Sequence, residues 1–280
     1  MENQKPIVGD NSSHIAWHPA FVEALQMELD AYKDVLEFLP EYQLTSEPLK
    51  IDCVVIKKLK DVDIQKNIAK IFREWNLVEC KSPTDNVSIA DFYKVYGYAC
   101  LYASFNNLPI TGLTVTFIES RYPQKLIAHL KEERNYKIEE TSSGVDNISG
   151  DILPIQIIDN RRLSEEENLW LKSLDNRLDS LRIKKIGIEA HRDRKSARLM
   201  AYMDVLARAN PVALKEALDM STATVEQVLE EAGWIAKWEA RGEENKAITI
   251  AKNLLNLGIP LDTVVSATQL APEKVKALYP

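Results

Sequence analysis

A chain of 280 residues can bury a full α/β core and still carry a smaller appendage. With 45% hydrophobic and 28% charged residues it has an ordinary globular composition, and a net charge of −7 excludes a generally basic nucleic-acid binder. Any nucleic-acid contact must then use a local basic patch. No apolar run approaches the roughly 18 residues of a membrane span. The opening Met1-Glu2-Asn3-Gln4-Lys5-Pro6 has no apolar signal region, so a cytoplasmic protein is expected. Cys53, Cys80 and Cys100 lie in apolar segments without ligand-type spacing and read as small core residues.

Residues 1–14 are polar and are expected to form a flexible tail. Over 19–39, Phe21, Ala24, Leu25, Leu29, Tyr32, Leu36 and Leu39 recur at helical spacing. Pro19 suits the first turn, and Glu23, Glu28 and Glu37 are the acids of interest on this helix. A short strand is expected over 41–46, a firmer one over 49–57 with the lone carboxylate Asp52, and a helix over 63–72. Residues 75–81 form the next strand. Ser88 is a suitable N-cap for a helix over 88–105. Apolar positions almost encircle that helix, which predicts burial on more than one side.

Downstream, 113–118 is a β-branched-rich strand, 124–133 a helix and 136–139 a strand. Residues 142–151, with Ser142-Ser143-Gly144 and Ser149-Gly150, read as a loop before a last strand over 152–158. Helices are then expected over 164–178, 197–208, 211–218, 222–240 and 243–257, with two short ones over 260–268 and 271–278. This predicts an α/β domain over 15–160 and an all-helical region over 161–280. Only Lys274 and Lys276 are basic in the last two helices, so a hydrophobic docking or homodimerisation element fits them better than a DNA-reading one.

Glu79-Cys80-Lys81 is the segment with chemical content. Strand alternation puts Glu79 and Lys81 on one face with Leu77, roughly 7 Å apart, and Cys80 on the other. An ionisable pair inside an apolar strand needs compensation. Asp52 in the preceding strand supplies a second acid, so a divalent-cation site with a helper ammonium is expected.

The order acidic helix, strand, strand with Asp52, strand with Glu79-Cys80-Lys81, aromatic helix, strand resembles the PD-(D/E)XK nuclease superfamily. The nuclease-type transposase and recombination-promoting group looks most similar, through Leu25-Gln26-Met27-Glu28-Leu29, Lys50-Ile51-Asp52 and the helix from Ile89 to Tyr98. The tail from Ala247 to Leu255 is also similar. The resemblance implies a restriction-endonuclease-like αβββαβ core with a mixed sheet and metal-dependent cleavage of DNA. Asp52, Glu79 and Lys81 would be catalytic. Asp52, Glu79, the Cys80 carbonyl and Glu28 would hold Mg²⁺ or Mn²⁺. Zinc is not expected, because no His/Cys cluster is present.

Lys57 and Lys58 follow the Asp52 strand and are candidate phosphate contacts. The denser basic stretch Arg182, Lys184, Lys185, Arg192, Arg194, Lys195 and Arg198 is the best candidate for the DNA backbone. Each feature has a plainer reading: an edge-strand ion pair for Glu79 and Lys81, an exposed helix acid for Glu28, a solvated helix face for the basic stretch. Two other functions follow from those readings. One is a catalytically inactive nuclease-fold protein that binds DNA or protein; the other is a helical interaction protein built around 163–280.

Overall fold

The computed structural model describes residues 17–40, 53–192, 197–219 and 234–278. Two compact units divide the chain: residues 1–186 with 192–217, and residues 187–191 with 218–280. The change from strands to helices near residue 160 falls inside the first unit.

The first unit runs α1 (Trp17–Glu28), β1 (Leu36–Leu39), β2 (Cys53–Lys58), β3 (Trp75–Cys80), α2 (Ile89–Phe105), β4 (Leu113–Glu119) and α3 (Gln124–Glu132). It continues through β5 (Lys137–Ser142), β6 (Val145–Ser149), β7 (Ile155–Asp159), α4 (Leu169–Lys172), α5 (Ser180–Arg192), α6 (Ala197–Ala209) and α7 (Pro211–Asp219). The strands form one seven-stranded mixed sheet in the order β1-β2-β3-β4-β7-β6-β5. β3, β4 and β7 are parallel, and antiparallel pairs flank them on both sides. The C-terminal ends of the three parallel strands therefore lie along one edge, where α/β sheets form sites.

Alternation sorts the two faces of the sheet. Val55, Leu77, Val115, Phe117, Ile155 and Ile157 share a core with Phe92, Val95, Ala99 and Tyr102 of α2 and with Leu126 and Leu130 of α3. The opposite face carries a buried polar ladder. Thr114 Oγ1 donates to Asn76 Oδ1 (2.6 Å), and Gln156 Nε2 donates to Thr116 Oγ1 (2.9 Å) and to the Ile68 carbonyl (2.8 Å). These bonds offset the cost of withdrawing the four side chains from water. α1 buries Phe21, Ala24 and Leu25 and packs on α4 and α6.

In the second unit α8 (Trp234–Asn256), α9 (Leu261–Thr268) and α10 (Pro272–Lys276) enclose Ala251, Leu255, Val264, Leu270 and Val275. No helix among the described residues is long and apolar enough to cross a membrane.

Several expectations are corrected. The helix expected over 19–39 ends at Glu28; a 3-10 turn follows at Asp30–Tyr32, and Leu36–Leu39 pairs with β2 as a strand. Of the helix expected over 63–72, only the 3-10 turn Asn67–Ala69 forms. The loop expected over 142–151 contains β6, and the helix expected over 164–178 is reduced to α4. α2 is buried on one side only, through Phe92, Val95, Ala99 and Tyr102, while Tyr93 and Phe105 are exposed. Cys100 is exposed rather than a core residue. The tail over 1–14 and the strand expected over 41–46 lie outside the described residues.

Candidate functional site

Glu79 is the penultimate residue of β3, hydrogen-bonded through its strand to β2 on one side and β4 on the other. This makes β3 an interior strand, so the edge-strand reading of the pair fails. Glu79 is only 3% exposed. Lys81 extends the ladder by donating its backbone N–H to the Ile118 carbonyl at 2.8 Å. Its ammonium lies 3.3 Å from Glu79 Oε1 and 2.9 Å from Asp91 Oδ1.

Asp91 stands in the first turn of α2 and belongs to a capping box. The Asp91 N–H donates to Ser88 Oγ (3.0 Å), and the Ser88 N–H donates to Asp91 Oδ2 (2.9 Å). Desolvation opposes the charge on Lys81, but the hydrogen bond to Asp91 and the carboxylate of Glu79 outweigh it and raise its pKa. Asp91 is likewise disfavoured by desolvation, yet the bonds from Ser88 and Lys81 hold its carboxyl below the usual range. Lys81 is therefore a fixed ammonium at neutral pH, suited to neutralising an anionic oxygen rather than to accepting a proton.

Two further acids reach the same edge. Glu119 ends β4 and is paired in register with Asp159 at the end of β7. Both fall on the α2 face by alternation with Phe117 and Ile157. Glu119 is 0% exposed; its Oε2 accepts from the Val87 N–H at 2.9 Å, and its Oε1 has no hydrogen-bond partner. Burial pushes its carboxyl up to about 8; the Val87 bond and Lys81 act against that rise, and Asp159 adds to it. Desolvation also raises Asp159, whose Oδ1 accepts from the Arg161 N–H at 3.1 Å.

The sequence-predicted residues are distributed as follows. Glu79 and Lys81 are together. Asp52, Arg194 and Lys195 lie outside the described residues, as does the side chain of Arg192. Cys53, next to Asp52, is in register with Glu79. Cys80 is a half-buried free thiol whose pKa is raised by desolvation and by Glu79. Glu28 is engaged elsewhere: Oε2 is 2.8 Å from the Lys66 ammonium and Oε1 accepts from the Leu171 N–H at 3.0 Å. The Leu171 carbonyl also accepts from Asn160, on the sheet face opposite Glu79, so Glu28 serves the packing of α1 on α4.

Lys57 is in register with Trp75, at the other end of β3 from Glu79, and lies over that ring at 4.5 Å. Four residues of strand separate it from Glu79 by roughly 13 Å. Lys58 turns to Asp61. Arg182 and Lys185 both pair with Glu165.

Sequence reasoning missed Asp91, Glu119 and Asp159. Ser88-x-x-Asp91 is a legible capping signal. Glu119 and Asp159 each close an apolar strand, and only the register brings them to one edge. Among the described residues no group of three or more His, Cys, Asp or Glu is arranged to hold a metal ion. Mg²⁺ asks less of a protein, since one or two carboxylates suffice when it keeps its waters. No protein-family model, curated protein or solved structure matches the chain.

Proposed function

We propose that the protein is a divalent-metal-dependent DNA endonuclease of the transposase- or recombination-associated type, with a restriction-endonuclease-like core. The observation that carries this reading is the Glu79–Lys81 pair. A buried acid and a half-buried amine two residues apart meet at the end of an interior strand, against the first turn of α2. The succession α1-β1-β2-β3-α2-β4, with β3 and β4 parallel, supports the αβββαβ reading.

Hard oxygen donors fit Mg²⁺ or Mn²⁺, and the buried Oε1 of Glu119 adds a donor at the same edge. Glu79 would hold the ion with Asp52 and the Cys80 carbonyl, the set implied by the resemblance. When bound, the ion supplies charge neutralisation and an acidified water. Lys81 stays charged and offsets the developing negative charge on a phosphate oxygen. Asp91 fixes where that ammonium points. The helix N-terminus beside it favours an anionic group. A homodimer through the C-terminal helices would suit cutting of both strands.

One observation favours a non-catalytic binding module instead. Glu79, Lys81 and Asp91 form a mutually compensated network, which a purely structural role also requires. A plasmid-nicking assay with and without Mg²⁺ separates the two, comparing wild type with Glu79→Ala and Lys81→Ala. Metal-dependent nicking by wild type, lost in both variants while they still melt cooperatively, is the expected result. A wild type that does not cut, or variants that cut equally well, would replace nuclease activity with the binding role.

A further inference from the structure

We propose that Glu119 is a further carboxylate of the cation site, sharing with Glu79 a divalent ion of the Mg²⁺ or Mn²⁺ class. This rests on the metal-dependent reading above but adds a residue that the Glu-x-Lys motif does not contain.

Glu79 is opposite Phe117 in the parallel β3–β4 pair, which leaves Glu119 one strand across and two residues further along. With strands about 4.8 Å apart and about 3.3 Å of rise per residue, the two backbones are roughly 8 Å apart, close enough for their carboxylates to meet at one ion. Both side chains leave the sheet on the α2 face.

A carboxylate at 0% exposure is costly unless its oxygens are occupied. Oε2 is occupied by the Val87 N–H, which fixes the side chain, whereas Oε1 is buried without a hydrogen-bond partner. Lys81 does not fill that role, because its ammonium is taken by Glu79 and Asp91. Asp159 is in register with Glu119 and places a further acid beside it. A hard cation satisfies Oε1 and relieves the crowding of acids in one step.

The test is a titration of full-length protein with Mn²⁺, following the free ion by its electron paramagnetic resonance signal, alongside Mn²⁺-dependent plasmid nicking. In Glu119→Gln the side-chain carbonyl can still accept from the Val87 N–H, while the proton that a cation would displace from the carboxyl, and with it the charge offered to the ion, is removed. The expected result is stoichiometric binding by wild type and at least tenfold weaker binding by Glu119→Gln. If wild type binds and cuts while Glu119→Gln binds Mn²⁺ as tightly as wild type, the assignment of Glu119 is overturned and the nuclease reading stands. If wild type binds no Mn²⁺, the metal-dependent reading itself is overturned. Should Glu119→Gln fail to melt cooperatively, Glu119→Asp replaces it. That variant keeps the charge but draws it back by a methylene, and at least threefold weaker binding is required of it.

Discussion

Lys81 donates to Asp91 Oδ1 at 2.9 Å, and through that one bond the end of β3 is tied to the first turn of α2. The same carboxylate accepts from the Ser88 backbone and hydroxyl, so one side chain both caps the helix and orients the ammonium. Helix initiation and site geometry are thereby coupled.

Replacing Asp91 with Ala should therefore cost more than an ordinary cap. Loss of the cap is worth about 1 kcal/mol, and leaving Lys81 with a single partner adds a comparable amount, for a total of about 2 kcal/mol. Urea unfolding measures it. Asp91→Asn, which keeps an acceptor for Ser88, should lose about half as much. Equal stability of Asp91→Ala and wild type would mean that the coupling contributes nothing.

Glu119 should make stability depend on pH. Its carboxyl is raised from 4.5 to about 8 in the folded state, so the folded protein holds this proton where the unfolded chain has released it. The resulting stabilisation is complete below about pH 4.5 and is lost as pH rises through about 8, with a displacement of that size worth at most on the order of 5 kcal/mol. Glu28 and Asp159 are raised in the same direction, so the informative quantity is the difference between wild type and Glu119→Gln. Measured in EDTA between pH 5 and 9, the stability of wild type relative to the variant should fall as pH rises. A difference that does not change with pH would show that Glu119 does not hold its proton.

Gly144 turns the β5–β6 hairpin with φ +76°, and a Cβ built there would meet the Asp159 carbonyl at 2.7 Å and the Leu163 nitrogen at 2.8 Å. Its own carbonyl accepts from the Asp159 N–H at 2.9 Å. Gly144→Ala should destabilise by about 2–3 kcal/mol, from both the left-handed backbone and the steric conflict. Thermal and urea unfolding check this, and a wild-type midpoint would contradict the turn geometry.

Residues 75–81 could be read as a strand because a short apolar run is visible within seven letters, and the pleat of a strand alone puts Glu79 and Lys81 on one face. Ser88 could be read as a cap because capping acts over three residues. The segment over 142–151 could not be read correctly. Val145–Ser149 is a strand because β5 and β7 pair with it on either side, and its serine- and glycine-containing flanks dominate any local reading. The same applies to the segment over 19–39, where apolar residues at helical spacing continue into Leu36–Leu39 but pairing with β2 takes those four residues into the sheet.

From the letters alone come the α/β character, the pairing of an acid and an amine on one strand face and the start of α2, since propensity, alternation and capping act between near neighbours in the chain. Which acids join that pair was decided only by folding. Glu119 and Asp159 come to the Glu79 edge through parallel pairing of strands far apart in sequence, whereas Glu28 is drawn away to Lys66 and Leu171 by the packing of α1 on α4. Side-chain chemistry is written residue by residue, but the convergence of charges depends on register and burial, which arise only when distant segments exclude water together.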